Sequence, residues 1–268
     1  MDTSDSDSFI RSFARGLCVI EVLGKDRVTH TVGSVAAATE LPRTVVRRIL
    51  MTLVALGYAA SDGKEFRLTP RILNLGMTYL TSLPFWGFAQ GVMEELCNAV
   101  RESVALAVFD SNEVTYILRI PSRKVMSLQL GMGSRVPAYA TSPGRVMLVA
   151  LDASVLRRYL SSTNFKAYTP KTVTSKASLR DALVQVAESG YAWVDGEFDR
   201  SVCGISVPVY DSSGHAVAAL SVNFLSGEMT RSRAVKQILP ALRHAAEQLR
   251  AMAPKFLSPM VPSGGVPD

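Results

Sequence analysis

Histidine and cysteine are scarce, with three of each in 268 residues. Cys18, Cys97 and Cys203 are odd in number and far apart, with no CxxC and no Cys/His cluster, which excludes a disulfide framework and a structural zinc site and leaves buried thiols as the expectation. His30, His215 and His244 fall in a loop, a strand turn and a surface helix, none beside a plausible nucleophile. There is no GxSxG elbow, no HExxH and no phosphate-cradling glycine loop. Asp195 and Glu197 stand two apart on an expected strand, which puts both on one solvated face rather than in an acid/base couple. No enzyme, cofactor or metal site is therefore expected. No apolar run reaches bilayer length, and the opening MDTSDSDSF is polar and acidic rather than basic then apolar. A cytoplasmic protein without membrane contact is expected.

Residues 31–57 carry the strongest positive signal. Val35, Ala36 and Ala37 lie on a short alanine-rich helix whose small side chains admit a close neighbour, and Leu41 before Pro42 breaks it. Pro42 suits the first turn of a second helix, on which Val46, Ile49, Leu50 and Leu53 recur at helical spacing and form an apolar face. Arg43, Thr44, Arg47 and Arg48 fall on or near the opposite face. A buried back and a basic front match a helix-turn-helix whose second helix enters the major groove, although an arginine-rich surface helix has the same pattern. The residues after Gly57 favour the first reading. Residues 59–68 read as two short strands around an Asp-Gly turn, a wing that can lay Lys64 and Arg67 along phosphates. Residues 42–72 hold six basic and two acidic side chains, a local +4 within a chain of net charge +6.

Ahead of this lies a helix over residues 9–23, with Phe9, Phe13, Leu17 and Ile20 expected to complete the small domain's core. After it, a helix opening at Thr69-Pro70 links to the second domain at Leu83-Pro84. The expected organisation is a winged helix-turn-helix over 8–69, a linker helix over 70–83, an effector-type domain over 84–253 and a disordered Pro/Gly/Ser tail over 254–268. In the second domain a helix over 85–100 precedes three strands near 103–109, 114–120 and 126–130. Helices near 143–151, 154–161 and 176–189 follow, then strands near 191–197, 204–210 and 216–223, and one closing helix over 231–252. Consecutive hairpins imply an α+β fold with a mainly antiparallel six-stranded sheet. Between its elements, PAYATSPGR leads from a loop into a helix with Ser142 as N-cap candidate and Pro143 at the first position. The free N–H groups of such a helix start suit a carboxylate, and Ser142 capping its own helix is the plainer alternative.

Taken in order, SFARGLCVIEVL, LPRTVVRRILMTLVALGY, FRLTPRILNLGMTYL, PAYATSPGRVML and the pair GISVPVYD and AVAALSVN resemble the IclR family of bacterial transcriptional regulators, from Ser12 to Met252. SFARGL, RIPSRKVMSLQLGMGSRVPAYATSPGRVML and YTPKTVTS are similar to its Pca/Pob group, which controls aromatic-acid catabolism. The resemblance implies an N-terminal winged helix-turn-helix, a GAF-like C-terminal effector domain, and a homodimer through the N-terminal part or a homotetramer. It further implies binding to a double-stranded DNA operator, modulated by a small aromatic or other organic acid. By position, the family's effector pocket falls on Val125, Leu128, Ser142, Pro143, Val202, Gly204, Ser221 and Asn223. Arg119 joins them on its own chemistry, since a guanidinium can pair bidentately with a carboxylate; a surface salt bridge is its alternative. Glu40 stands where the family has glycine, Val45 where it has a hydroxyl residue, and Cys203 and Gly204 where it has more polar ones. The competing function is a metabolite-processing enzyme or stand-alone sensor whose winged helix serves only for dimerisation.

Overall fold

Local capping and turn chemistry cuts the N-terminal segment into its elements. The computed structural model describes residues 9–24, 29–76, 85–122 and 130–253 and divides the chain into two compact units, 1–83 and 84–268. In the first unit, α1 (Arg11–Leu23) precedes a two-residue strand β1 (His30–Thr31). Thr31 and Ser34 then close a capping box that starts α2 (Val32–Thr39). Glu40 ends α2 in the left-handed conformation, φ 56°. A side chain there costs roughly 1–2 kcal/mol that glycine avoids, so this turn keeps a glycine-type geometry with a glutamate in it. Pro42 caps α3 (Arg43–Ala55) from just outside, its carbonyl accepting the Val45 and Val46 N–H groups. The proline therefore stands one place before the helix rather than in its first turn.

Val46, Leu50 and Leu53 turn inward and meet Val35, Ala59, Phe66, Val19 and Leu23 in one core. β2 (Ala59–Ser61) and β3 (Glu65–Leu68) form the hairpin, with Asp62 Oδ1 accepting the Lys64 and Glu65 N–H groups across the turn. Pairing of β1 with β3 adds a third strand that the sequence pattern did not indicate, and it buries His30 rather than leaving it in a loop. The expected core stripe of α1 is also corrected. Ile20 packs against the core as expected, beside buried Val19 and Leu23, whereas Phe13 is 66% and Leu17 45% exposed, and Phe9 is exposed as well. Cys18 shares that exposure; only Cys97 and Cys203 are buried thiols. Helix α1 carries apolar residues on two faces, so periodicity alone does not say which one meets the core. Beyond the hairpin, Pro70–Ile72 form a 3-10 turn running into helical residues 73–76; the rest of the expected linker helix lies outside the described residues.

Among the described residues, the second unit is built on a six-stranded antiparallel sheet of order β6-β5-β4-β9-β8-β7. Its strands are β4 (Ser103–Asp110), β5 (Glu113–Ile120), β6 (Arg135–Pro137), β7 (Ala192–Asp195), β8 (Val202–Tyr210) and β9 (Ala216–Leu225). The third strand is thus Arg135–Pro137; of the run expected at 126–130, residues 126–129 lie outside the described residues and Leu130 is in no strand. Around the sheet lie α4 (Phe85–Val100), α5 (Ser142–Val149), α6 (Ala153–Ser162), α7 (Lys176–Ser189), α8 (Arg231–Gln237) and α9 (Leu239–Arg250). α9 packs on β8 and α4, and α5 on β8, β9 and α7. Nearly continuous burial along β4, β8 and β9 follows from this cover. The expected single closing helix is two, broken at Ile238, because Pro240 in the first turn of α9 has no N–H to continue the ladder of α8. The expected tail, 254–268, lies outside the described residues.

Replacing Glu40 by glycine relieves the left-handed strain at the end of α2. Glu40→Gly is expected to raise the stability of the first unit by about 1 kcal/mol, read as a higher urea midpoint; an unchanged or lower midpoint would show that the glutamate sits there without cost.

Candidate functional site

Two surfaces carry the site chemistry, one in each unit. On α3, Arg43, Thr44, Arg47 and Arg48 are all exposed, and so are Lys64 and Arg67 on the hairpin. Their exposure follows from the helix period, since the residues between them supply the buried face. Arg71 stands apart from this set: its guanidinium lies over the Tyr58 ring at 5.2 Å. Exposed Glu40 shares the turn between α2 and α3.

The second surface is a cleft of about 580 Å³, measured out to its solvent mouth, lying on one face of the large sheet. Strand register aligns two rows of residues on that face. Val194, Gly204 and Asn223 pair across β7, β8 and β9, and Ser206, Ser221, Ala105 and Arg119 pair across β8, β9, β4 and β5 in the next row on the same face. The start of α5 lies over these rows. Gly144 permits that approach, because a Cβ there would overlap the backbone of Ala138. Ser142 Oγ then accepts a 2.8 Å hydrogen bond from Ser206 Oγ. Ser142 is the first helical residue, Thr141 is the N-cap, and neither side chain caps the helix; Thr141 Oγ1 donates to the Pro137 carbonyl instead. The plainer alternative for Ser142 is therefore corrected, and its hydroxyl belongs to the cleft.

Of the residues anticipated for an effector, Arg119, Ser142, Pro143, Val202, Gly204 and Asn223 line the cleft. Ser221 does not: it is fully buried in the sheet and its hydroxyl donates to the Ala105 carbonyl. Val125 and Leu128 lie outside the described residues. At Gly204 a Cβ would stand 2.9 Å from both Asn223 Oδ1 and Ser142 Oγ, so glycine keeps a small polar corner open. Arg119 Nη1 donates to the Leu130 carbonyl, which orients the guanidinium.

Several lining groups escaped the sequence reading, among them Tyr116, Glu197, Phe198 and Cys203. The solvated-pair expectation for Asp195 and Glu197 is corrected here. Strand β7 ends at Asp195, and Gly196, φ 69°, turns the chain so that the two acids part. Asp195 takes Lys171 Nζ at 2.8 Å and Ser226 Oγ at 2.7 Å. Glu197, 9% exposed, meets Arg145, 6% exposed, at 2.6 Å. Arg145 Nε also donates to the Tyr139 carbonyl, and Glu197 Oε2 accepts the Val173 N–H. Gly196 was the available signal, as a turn residue between the two acids. Burial pushes the Cys203 thiol up to about 12, with Asp195 adding to the effect, so it remains a thiol at neutral pH. Among the described residues, no cluster of three His, Cys, Asp or Glu is placed to hold a metal ion, and no helix is long and apolar enough to cross a membrane.

Both units have counterparts among known proteins. The model of the IclR helix-turn-helix domain matches residues 12–63, and that of the bacterial transcriptional regulator IclR C-terminal domain matches residues 77–251. The chain belongs to the IclR family. Among its relatives are the Pca regulon regulatory protein of Pseudomonas putida, 38% identical over 92% of this chain and 85% of that one, and the p-hydroxybenzoate hydroxylase transcriptional activator of Acinetobacter baylyi, 32% identical over 91% of this chain and 92% of that one. A solved IclR homologue from Microbacterium hydrocarbonoxydans, complexed with 4-hydroxybenzoate, superposes with a TM-score of 0.78 at 26% identity, covering 89% of this chain and 97% of that one.

The buried pair of this IclR chain makes a stability prediction. Glu197→Ala leaves a buried guanidinium without its countercharge and is expected to destabilise the second unit by about 3 kcal/mol or more. The double variant Arg145→Met, Glu197→Met should lose less than the single one; chemical denaturation showing equal or greater loss in the double variant would refute this account of the pair.

Proposed function

We propose that this chain is a DNA-binding transcriptional regulator whose operator affinity is set by a small aromatic carboxylate bound in the cleft of the second unit. The observation that carries the reading is the cleft itself, with a guanidinium on β5 and a corner of Ser142, Gly204 and Asn223 across the sheet. Such a mixture of apolar wall and few polar groups suits a compact, singly charged ring. The relatives and the 4-hydroxybenzoate complex of the Microbacterium homologue support the ligand class. Arg119 supplies the countercharge, Ser142 and Asn223 polar partners, and Pro143 and Val202 apolar wall. The ligand shifts operator affinity only by the difference in its own affinity for the DNA-binding and non-binding states.

On the DNA side, Arg43, Thr44, Arg47 and Arg48 read the major groove while Lys64 and Arg67 hold phosphates. On this reading the protein acts in the cytoplasm and is not an enzyme, as its relatives named as transcriptional regulators support. The exposed Phe9 just ahead of α1, with Phe13 and Leu17 on it, supports a homodimer formed through the first unit, on which a tetramer can build. Sedimentation as a single chain at micromolar concentration would remove that assembly.

Two outcomes test the two halves. Arg47→Ala should weaken binding to a selected operator by about tenfold to a hundredfold without lowering the unfolding midpoint; equal binding across a salt titration would take Arg47 out of the interface. Saturating 4-hydroxybenzoate or protocatechuate should raise the thermal midpoint of the whole chain, because a ligand of the folded state stabilises it in proportion to occupancy. No shift with any aromatic acid would overturn the ligand class and leave the DNA-binding half standing.

A further inference from the structure

Strand β5 does not alternate regularly. Leu106 pairs with Leu118 and Ala107 with Tyr116, so Ile117 is an extra residue with no partner of its own on β4. An inserted residue reverses the in-and-out order of the side chains beyond it, and such bulges re-aim groups next to sites. In a regular strand Tyr116 and Arg119, three apart, point to opposite faces. Here both fall on the face of Ala105 and Ala107, and both line the cleft. Tyr116 is 5% exposed, and it lines the cleft beside Arg119.

The charges of the cleft set an orientation. Asp199 lines it from the turn between β7 and β8, next to Glu197, whose charge Arg145 offsets, whereas β5 is separated from β8 by β4 and β9. A ligand carboxylate is disfavoured beside Asp199 and drawn toward the guanidinium on β5. At the far side, the missing Cβ of Gly204 leaves room beside Asn223 Oδ1 and Ser142 Oγ for a small polar substituent.

We propose that Tyr116 and Arg119 together hold the effector carboxylate, the tyrosine as hydroxyl donor and the arginine as countercharge, and so turn the opposite edge of the ring toward Ser142, Gly204 and Asn223. The inference rests on the aromatic-acid reading above. Burial pushes the Tyr116 hydroxyl up to about 12, against the pull of Arg119, so it keeps its proton through the physiological range and acts as a donor. Two donors placed by one bulge distinguish a carboxylate from an uncharged head group of the same shape, and Tyr116 is in this sense a specificity residue.

Calorimetry on the full chain with 4-hydroxybenzoate, benzoate and 4-hydroxybenzamide tests it. Tyr116→Phe, which removes one oxygen, is expected to weaken both acids by the same factor, about tenfold, and to change the amide far less. Arg119→Gln should do likewise, and the double variant should lose less than the product of the two, because both act on one group. If Tyr116→Phe weakens 4-hydroxybenzoate and spares benzoate, the tyrosine holds the ring hydroxyl and the inference falls. Unchanged affinity for both acids also refutes it. Wild-type protein that binds neither acid overturns the aromatic-acid reading itself, an outcome visible before any variant is made.

Discussion

The buried ion pair between Arg145 and Glu197 holds the effector unit's site together. Two charges withdrawn from water are tolerable only with further hydrogen bonds, and here each charged group has one more partner, from the backbone. Arg145 reaches back to the Tyr139 carbonyl, and Glu197 takes the Val173 N–H. The Glu197 carbonyl in turn accepts from Thr172 Oγ1 at 2.6 Å. The pair thereby ties α5, the turn after β7 and the segment before α7 to one another, and its members stand 52 residues apart in the chain. One wall of the cleft consists of that turn.

A second tie runs beside the first in apolar form. Tyr139 meets Phe165 at 5.2 Å and Tyr168 at 6.4 Å between ring centroids, and Tyr168 meets Phe198 at 5.0 Å. Offset and edge-on ring pairs of this kind add modestly to area burial. Phe198 lines the cleft, so these rings connect the cleft wall to the segment between α6 and α7. A ligand that moved the wall would act on a packed set of rings, and packed sets change arrangement in steps more readily than by continuous deformation.

The reading unit rests on a different constraint. Its core is small, and the arginine-bearing helix α3 owes its orientation to Val46, Leu50 and Leu53 on its back. Glu40 in a left-handed turn shows that the geometry between α2 and α3 persists without glycine, at an energetic cost. It also sets a carboxylate near a basic surface, where it bears on how closely phosphates approach.

Element boundaries were largely legible in the residues, because capping and turn chemistry act within a few positions. Ser175 and Gly190 bound α7 as N-cap and left-handed C-cap, Asp62-Gly63 turns the hairpin, and the apolar period of α3 decides which arginines face outward. Pro240 was equally local, yet its effect was missed because amphipathic spacing continues through the break at Ile238. What lay beyond the sequence depends on pairing between distant strands. The extra residue at Ile117 reverses the face of Arg119 only relative to β4, the burial of Glu197 depends on an arginine brought in by α5, and the choice between two apolar faces of α1 is made by what packs against it. Local chemistry determined the elements and the basic front of α3. Tertiary structure decided which side chains share a cleft, because register and buried charge pairing are properties of segments that meet only in the fold.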